Sequence, residues 1–324
     1  MKRSENIDKF NRVRDEIGKV IIGQTRNIEL VLMALIADGH VLLEGVPGLA
    51  KTLMVSAVGK AIGGRFKRIQ MIPDMLPSDI VGNYIYTNSQ FVLQHGPLHD
   101  ANIVLADEIN RSPARTQAAL LEAMQERQIT VLGRETFPLK DPFMVLATMN
   151  PIEQEGTYKL PESQLDRFLL KITVGYIGPE KEMMMVKNIA LDQRDKLKAV
   201  CQVIEIEEIL KIKENVKQGV RVGDPAIEYI VHLVDETRNP AGWDEDPTLK
   251  VIRLGASPRA IFALRDMARV KAYMADRDYV LPEDIEYIMP DVLRHRILLE
   301  FRAEAKGWTA EKVIEKIRER VNPA

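Results

Sequence analysis

Residues 45–52 read Gly-Val-Pro-Gly-Leu-Ala-Lys-Thr and stand between a short apolar run at 40–44 and a helical pattern at 51–62. A strand, a glycine-bearing turn and a helix start, in that order, make a cradle for phosphate. Successive backbone N–H groups surround the oxygens, and the amino end of the helix adds partial positive charge. Gly45 and Gly48 admit backbone angles that a Cβ disfavours. Lys51 has the reach to meet β and γ phosphates, and the Thr52 hydroxyl is of the type that ligates magnesium. The pattern departs from the usual one at Ala50, where glycine normally precedes the lysine. The plain alternative is an ordinary strand–turn–helix with a solvated lysine.

Two further stretches have the same form, an apolar strand ending in a polar group. Residues 102–108, Asn-Ile-Val-Leu-Ala-Asp-Glu, end in adjacent carboxylates. At the carboxyl end of a parallel strand these would lie at the ligand edge of a sheet. Asp107 could then hold magnesium through water, and Glu108 could polarise the water that attacks a γ-phosphate. Residues 143–151, Phe-Met-Val-Leu-Ala-Thr-Met-Asn-Pro, place Asn150 at a third strand end, where an amide can orient that water. The alternatives are a buried strand running into a solvated acidic turn, and an asparagine that merely starts a loop. The order and spacing of the three stretches agree with one another, which carries more than any one match.

The elements that must position these groups follow from periodicity. Ile28, Val31, Leu32, Leu35 and Ile36 recur at helical spacing over 24–38. Strands are predicted at 40–44, 66–71, 102–106, 143–148 and 168–174. A helix at 112–127 takes Ser112 as cap and Pro113 at its first position. Strands apolar on both faces and separated by helices imply a parallel sheet covered on both sides. After Val174 the pattern predicts no strand. Asp224 caps a helix opening with Pro225 and burying Ile227, Ile230, Val231 and Val234. Ser257 caps another with Pro258 first, and further helices follow Pro282 and Thr309, the last burying Val313, Ile314 and Ile317. The fold class is therefore α/β, an αβα parallel-sheet domain over 1–178 followed by an all-helical domain over 179–324. A charged connector helix is expected at about 179–217, and a loop at 239–251.

Composition narrows the function. The 45 basic and 47 acidic residues leave a net charge of −2, without the basic excess that phosphate neutralisation asks of a dedicated nucleic-acid binder. Cys201 is the sole cysteine, the first residues lack the apolar core of a leader, and no run of about 18 apolar residues occurs, so the expectation is a cytoplasmic protein without a transmembrane segment. Of the five histidines only His95 and His99 are close, and Gly96–Pro97 between them breaks a helical metal pair; no metal besides magnesium is expected. Met183, Met184 and Met185 are expected to pack.

In this combination the chain resembles the AAA+ family of P-loop NTPases, and specifically its MoxR branch, from about residue 21 to about residue 295. Lys51 stands in the place of the Walker A lysine, Asp107 and Glu108 in that of the Walker B carboxylates, and Asn150 in that of the sensor-1 polar residue. The turn with Ala50, the stretch Leu105-Ala-Asp-Glu-Ile-Asn-Arg111 and the stretch Glu155-Gly-Thr-Tyr-Lys-Leu-Pro-Glu-Ser-Gln-Leu-Asp-Arg-Phe168 are similar to those of MoxR proteins.

The resemblance implies an ATPase with ATP and Mg2+ as cofactors. Gly45, Val46, Pro47, Gly48, Leu49, Ala50, Lys51 and Thr52 would wrap the phosphates, with Thr52 and Asp107 on Mg2+. Arg167 would be the arginine finger offered to a neighbouring subunit; the alternative reading is a surface ion pair between Asp166 and Arg167. Arg259, in the first turn of a helix where a cation is disfavoured, would be the sensor-2 arginine, acting in its own subunit or a neighbour's. Gly23 and Gln24 match the segment near the adenine. Homo-oligomeric rings, as hexamers, are implied, with a chaperone-like role on protein clients that carry a von Willebrand A domain. Two insertions, 84–95 and 128–141, match hairpins that face the pore in relatives. Residues 84–94 hold no lysine or arginine, which favours a protein client over nucleic acid. A motor subunit of a metal chelatase and a nucleic-acid remodeller are the alternatives.

Overall fold

The computed structural model describes residues 3–46, 48–151, 156–187, 197–239, 243 and 250–323 of the 324-residue chain. Pro47 and Glu155 lie outside these, as do most of the expected 239–251 loop and 188–196 of the expected connector.

Two compact units form, one of Met1–Arg167 with Ile172–Ile212, the other of Phe168–Lys171 with Lys213–Ala324. The first begins with helices α1 (Arg3–Gly18) and α2 (Thr25–Ile36), then β1 (Val41–Glu44), α3 (Lys51–Ala61) and β2 (Phe66–Gln70). Next come α4 (Pro77–Val81), the hairpin β3 (Gly82–Thr87) and β4 (Gln90–His95), β5 (Ile103–Asp107) and α5 (Ala114–Glu126). The hairpin β6 (Gln128–Val131) and β7 (Glu135–Pro138), then β8 (Met144–Met149), α6 (Glu162–Leu165), β9 (Leu170–Thr173), whose first two residues count with the second unit, and α7 (Pro179–Lys187) follow.

The sheet runs β2-β5-β8-β1-β9, and β2–β5, β5–β8 and β8–β1 are parallel pairs. All five residues of β5 and the first five of β8 are buried, as expected of strands covered on both faces. Each buried Val, Ile or Leu contributes roughly 1.5–3 kcal/mol over the exposed state. The predicted strands are thus met to within two residues at each end. The helix predicted at 112–127 starts one residue late: Pro113 stands at its cap, and the Ser112 hydroxyl turns back to donate to the Ile109 carbonyl.

Both insertions are antiparallel hairpins. The first turns on Asn88 and Ser89, both at positive φ (47° and 60°), the signature of a two-residue primed turn. Beside its tip Tyr86 and Phe91 pair at 5.1 Å and are largely exposed. The His95 and His99 rings stack at 3.6 Å against the edge of Phe137 from the second hairpin. No cluster of three or more metal-ligating side chains occurs among the described residues, and none of their helices is long and apolar enough to cross a membrane.

The expected boundary near residue 178 and the observed break after Ile212 differ. The stretch 197–212 is fastened to the first unit. Val203 N–H donates to Ala61 O at 2.8 Å, Lys60 Nζ to Leu197 O at 2.7 Å and Cys201 N–H to Glu16 Oε1 at 2.9 Å, while Lys9 pairs with Glu208. Nor is 179–217 one helix, since the described residues 199–205, ahead of the helix Ile206–Gly219, are not helical. Met183 and Met184, expected to pack, are more than half exposed.

The second unit is built on helices Asp224–Glu236, Pro258–Met274, Pro282–Leu293 and Ala310–Arg320. Ser257 Oγ accepts from Arg259 N–H, so the predicted cap forms, and Thr309 Oγ1 caps the last helix by accepting from Lys312 N–H. The cap before Pro225 does not: the helix begins at Asp224 itself, with Gly223 at the cap. Its buried face is Ala226, Tyr229, Ile230, Leu233 and Val234. Ile227 and Val231, expected inside, are about two-fifths exposed at 40% and 39%, one turn apart beside that stripe. Two short strands, β10 (Ile252–Leu254) and β11 (Leu298–Leu299), pair antiparallel where none was predicted. With three and two residues they are too short to leave a periodic signal.

Candidate active site

The carboxyl ends of β1, β5 and β8 converge on the turn 45–52. Gly45 N–H donates to Met149 O, tying the start of the turn to β8. A Cβ at Gly45 would stand 2.5 Å from the Val174 carbonyl oxygen, so this position has room only for glycine. Gly48 has φ +85° and Ala50 φ +57°. An alanine in the left-handed region costs roughly 1–2 kcal/mol, so the residue that departs from the usual pattern is also the strained one. Left-handed positions beside a helix start aim backbone N–H groups into the concavity. Lys51 begins α3, and its ammonium folds onto the Gly45 carbonyl at 2.5 Å and the Met149 carbonyl at 3.3 Å.

Asp107 ends β5 and is buried. Its Oδ1 accepts from Thr148 Oγ1 at 2.7 Å, and its Oδ2 from Thr52 Oγ1 at 3.2 Å and from Arg68 Nη2 at 2.7 Å. The Thr148 hydroxyl accepts in turn from Glu108 N–H at 2.8 Å. Glu108 has φ +58°, a second non-glycine residue in the left-handed region. Its Oε2 meets Gln70 Nε2 at 2.9 Å and Arg111 Nε at 3.0 Å. Asn150 follows directly on β8 and is buried.

Gln24 reaches the same turn, with Nε2 donating to Leu49 O at 3.1 Å while its buried Oε1 has no partner. Gly23 lies against Ile177 and Lys181. Thus three sets of bonds meet at this turn: Gln24 with Leu49, Lys51 and Gly45 with Met149, and Thr52, Asp107 and Glu108 with Thr148. Val46 and the exposed Gly48 lie within the same turn. Arg167 stands apart from these bonds. With Gln164, Glu122 and Glu126 it lines an open depression of about 370 Å³, and its buried Nε has no hydrogen-bond partner. Arg259, exposed in the first turn of its helix, belongs to the second unit.

Sequence reasoning missed four groups here: Thr148, Arg68, Gln70 and Arg111. Arg68 and Gln70 carried a signal, being polar residues two apart in a strand expected to be apolar on both faces. Parallel register sets Gln70 beside Asp107 and brings both side chains to the acidic pair.

The residues present suit a magnesium nucleotide. Asp107 and Thr52 form a hard oxygen donor set, and Oδ2 already accepts a cationic partner in Arg68. The left-handed turn adds N–H groups at a helix start, the arrangement that holds phosphate.

Comparison with known proteins agrees. Residues 40–170 match the ATPase family associated with various cellular activities (AAA), and residues 250–317 match the AAA lid domain. Over 94% of its length the chain is 42% identical to chaperone MoxR1 of Mycobacterium tuberculosis, covering 80% of that protein. It is 34% identical to protein MoxR of Methylorubrum extorquens, over 90% of this chain and 88% of that one. This chain belongs to the MoxR family of AAA ATPases. Its solved relatives include a Cytophaga hutchinsonii protein, provisionally named an ATPase, at 42% identity and a TM-score of 0.89, with 99% of this chain and 97% of that one covered. The MoxR-type fold, an αβα nucleotide-binding domain followed by a helical lid, is the one predicted from the strand order and the helical second half.

Proposed function

We propose that this MoxR-type ATPase binds Mg2+–ATP on the turn 45–52 and works as a homo-oligomeric ring, a hexamer, that remodels protein clients. The observation that carries the reading is the chain of hydrogen bonds Thr52–Asp107–Thr148–Glu108 set beside a left-handed turn at a helix start.

In this reading backbone N–H groups of the turn, Pro47 having none and that of Gly45 being held by Met149 O, donate to the phosphate oxygens, and Lys51 exchanges the carbonyls of Gly45 and Met149 for β and γ oxygens. Thr52 and Asp107 are the residues that would hold Mg2+, which when bound neutralises phosphate charge. Glu108 accepts the proton of the attacking water, and Asn150 orients that water. Gln24, bonded to Leu49 O, and Gly23 border the adenine end. Arg167 meets the nucleotide of the adjoining subunit and stabilises the charge that develops there, a contribution worth about 10³–10⁵ in rate where it has been taken apart. Arg259, a cation at the positive end of a helix, is placed where an anionic partner such as a phosphate relieves the mismatch.

Clients are proposed to be proteins with a von Willebrand A domain, met in the cytoplasm. A protein client in general is supported by the relative named a chaperone and by the first hairpin, residues 82–95, which carries no lysine or arginine and exposes Tyr86 and Phe91. The test is capture by the Glu108→Gln variant in ATP, with Lys51→Ala as its partner experiment. A ring that retains a von Willebrand A domain protein with the first variant only is expected. Failure to assemble in ATP, or retention of DNA in place of protein, would overturn the proposal.

A further inference from the structure

Three consecutive residues of the second unit grip the main chain that directly follows Arg167. Arg296 Nη2 donates to the Phe168 carbonyl at 2.7 Å and Nη1 to the Leu169 carbonyl at 3.2 Å. His295 Nε2 meets the Phe168 carbonyl at 3.1 Å, and Arg294 Nη1 donates to the Lys171 carbonyl at 2.8 Å. His295 and Arg296 are buried, at 5% and 6% exposure. Burial first, then the Arg296 charge, hold His295 well below its usual pKa, so the ring is neutral and its proton sits on the nitrogen facing the carbonyl. Its Nδ1 is buried without a partner. Arg294 is itself fixed by Asp291 at 2.5 Å.

Burying a guanidinium is costly unless its donors are used. Arg296 directs donors to the carbonyls of Phe168, Leu169 and Val292. Here bonds from three successive side chains converge on a four-residue stretch, and the residue immediately before that stretch is Arg167. The Arg167 main chain is tied by its N–H to the Gln164 carbonyl at 3.2 Å, while its side-chain Nε is buried without a partner.

We infer that Arg294, His295 and Arg296 are positioning residues for Arg167: they hold the backbone at its carboxyl side and thereby set the direction in which its guanidinium is presented. This rests on the reading of Arg167 as the group offered to a neighbour's nucleotide. Their effect is on turnover in the adjacent subunit, not on nucleotide binding in their own.

Mixing subunits separates the possibilities. Arg296→Met keeps length and apolarity but removes the donors, and His295→Phe removes one donor while keeping the ring shape. Both are checked for folding by thermal melting and for ATP affinity by direct titration. Expected are a fall in kcat of about 10–100-fold for Arg296→Met and about 3–10-fold for His295→Phe, at ATP affinity unchanged within about twofold. Rings of Arg296→Met mixed with Glu108→Gln should regain turnover, because the intact Arg167 of the second subunit serves the intact site of the first. Arg167→Ala mixed with Glu108→Gln should regain it in the same way. If Arg167→Ala alone turns over like wild type, the underlying reading of Arg167 fails. If Arg167→Ala is slow and rescued while Arg296→Met and His295→Phe are either fully active or slow without rescue, the positioning role is overturned. Should Arg296→Met not fold, His295→Phe carries the same comparison.

Discussion

At the amino ends of the sheet strands, polar side chains mostly bind main chain; at the carboxyl ends, Lys51 and Gln24 apart, they mostly bind one another. His40, just before β1, accepts from Val145 N–H on Nδ1 and donates from Nε2 to the Met124 carbonyl. Asn102, just before β5, accepts from Arg65 N–H and donates to the Pro142 carbonyl. Arg127 donates to the Phe143 and Asp38 carbonyls. Such partners cannot leave, because the backbone holds them. At the opposite end Asp107, Thr52, Arg68, Thr148, Glu108, Gln70 and Arg111 are joined mostly side chain to side chain. Left-handed residues occur at both ends, Asp38 and Arg127 at one and Ala50 and Glu108 at the other, so the partners and not the backbone make the difference. A side-chain partner can be exchanged for a phosphate oxygen, a metal or a water. One end is built to stay and the other to rearrange.

The largest expected effect belongs to the fixed end. Burial, then the Arg127 charge, push the His40 pKa down from 6.5 to about 3. The folded state therefore refuses a proton that the unfolded chain accepts. Stability is full above pH 6.5 and is lost as pH falls from there toward 3. The loss is of order 5 kcal/mol by linkage. His40→Gln, whose amide can both donate and accept, should flatten the pH dependence of urea midpoints across that window while leaving turnover at neutral pH alone. An unchanged acid slope would show that His40 is not the group responsible.

Thr148→Val comes next and probes the other end. It keeps shape but strands Asp107 Oδ1 and Glu108 N–H, at about 1–3 kcal/mol. Turnover should fall about 10–30-fold, with a melting change of a few degrees only. If stability drops and turnover does not, Thr148 belongs with the fixed end and the division drawn here is misplaced.

Ala50→Gly should do least. Relief of left-handed strain and the greater freedom of the unfolded glycine nearly cancel, leaving under about 1 kcal/mol in stability. ATP affinity is expected within about threefold of wild type, and a tenfold loss in a titration would mean that the alanine itself shapes the turn.

The sequence was most legible where a single stretch holds its own signal. Residues 40–52 read as an apolar strand, a glycine-bearing turn and a helix start, and 102–108 and 143–150 each as an apolar strand with a polar end; strands apolar on both faces and separated by helices implied the parallel sheet. What escaped depends on register between distant stretches. Arg68 and Gln70 reach the acidic pair because β2 lies parallel to β5 with Gln70 opposite Asp107, and Thr148 does so because β8 lies on the other side. His40 and Asn102 gave no sign that they tie strand starts to backbone. In the second unit, Ile227 and Val231 fit a helical stripe as well as Tyr229 and Leu233 do, and only packing chose between the two. The clamp of residues 294–296 on 168–171 spans more than a hundred residues and has no local trace at all.

Side-by-side titration of ATP binding and steady-state ATP hydrolysis, on wild type, Glu108→Gln and Lys51→Ala, separates binding at the turn 45–52 from the chemistry beside it. Glu108→Gln is expected to bind ATP as tightly as wild type but to turn it over about 10²-fold or more slowly, and Lys51→Ala to lose binding. Hydrolysis by Glu108→Gln at the wild-type rate, or undiminished binding by Lys51→Ala, would contradict the roles given to these residues.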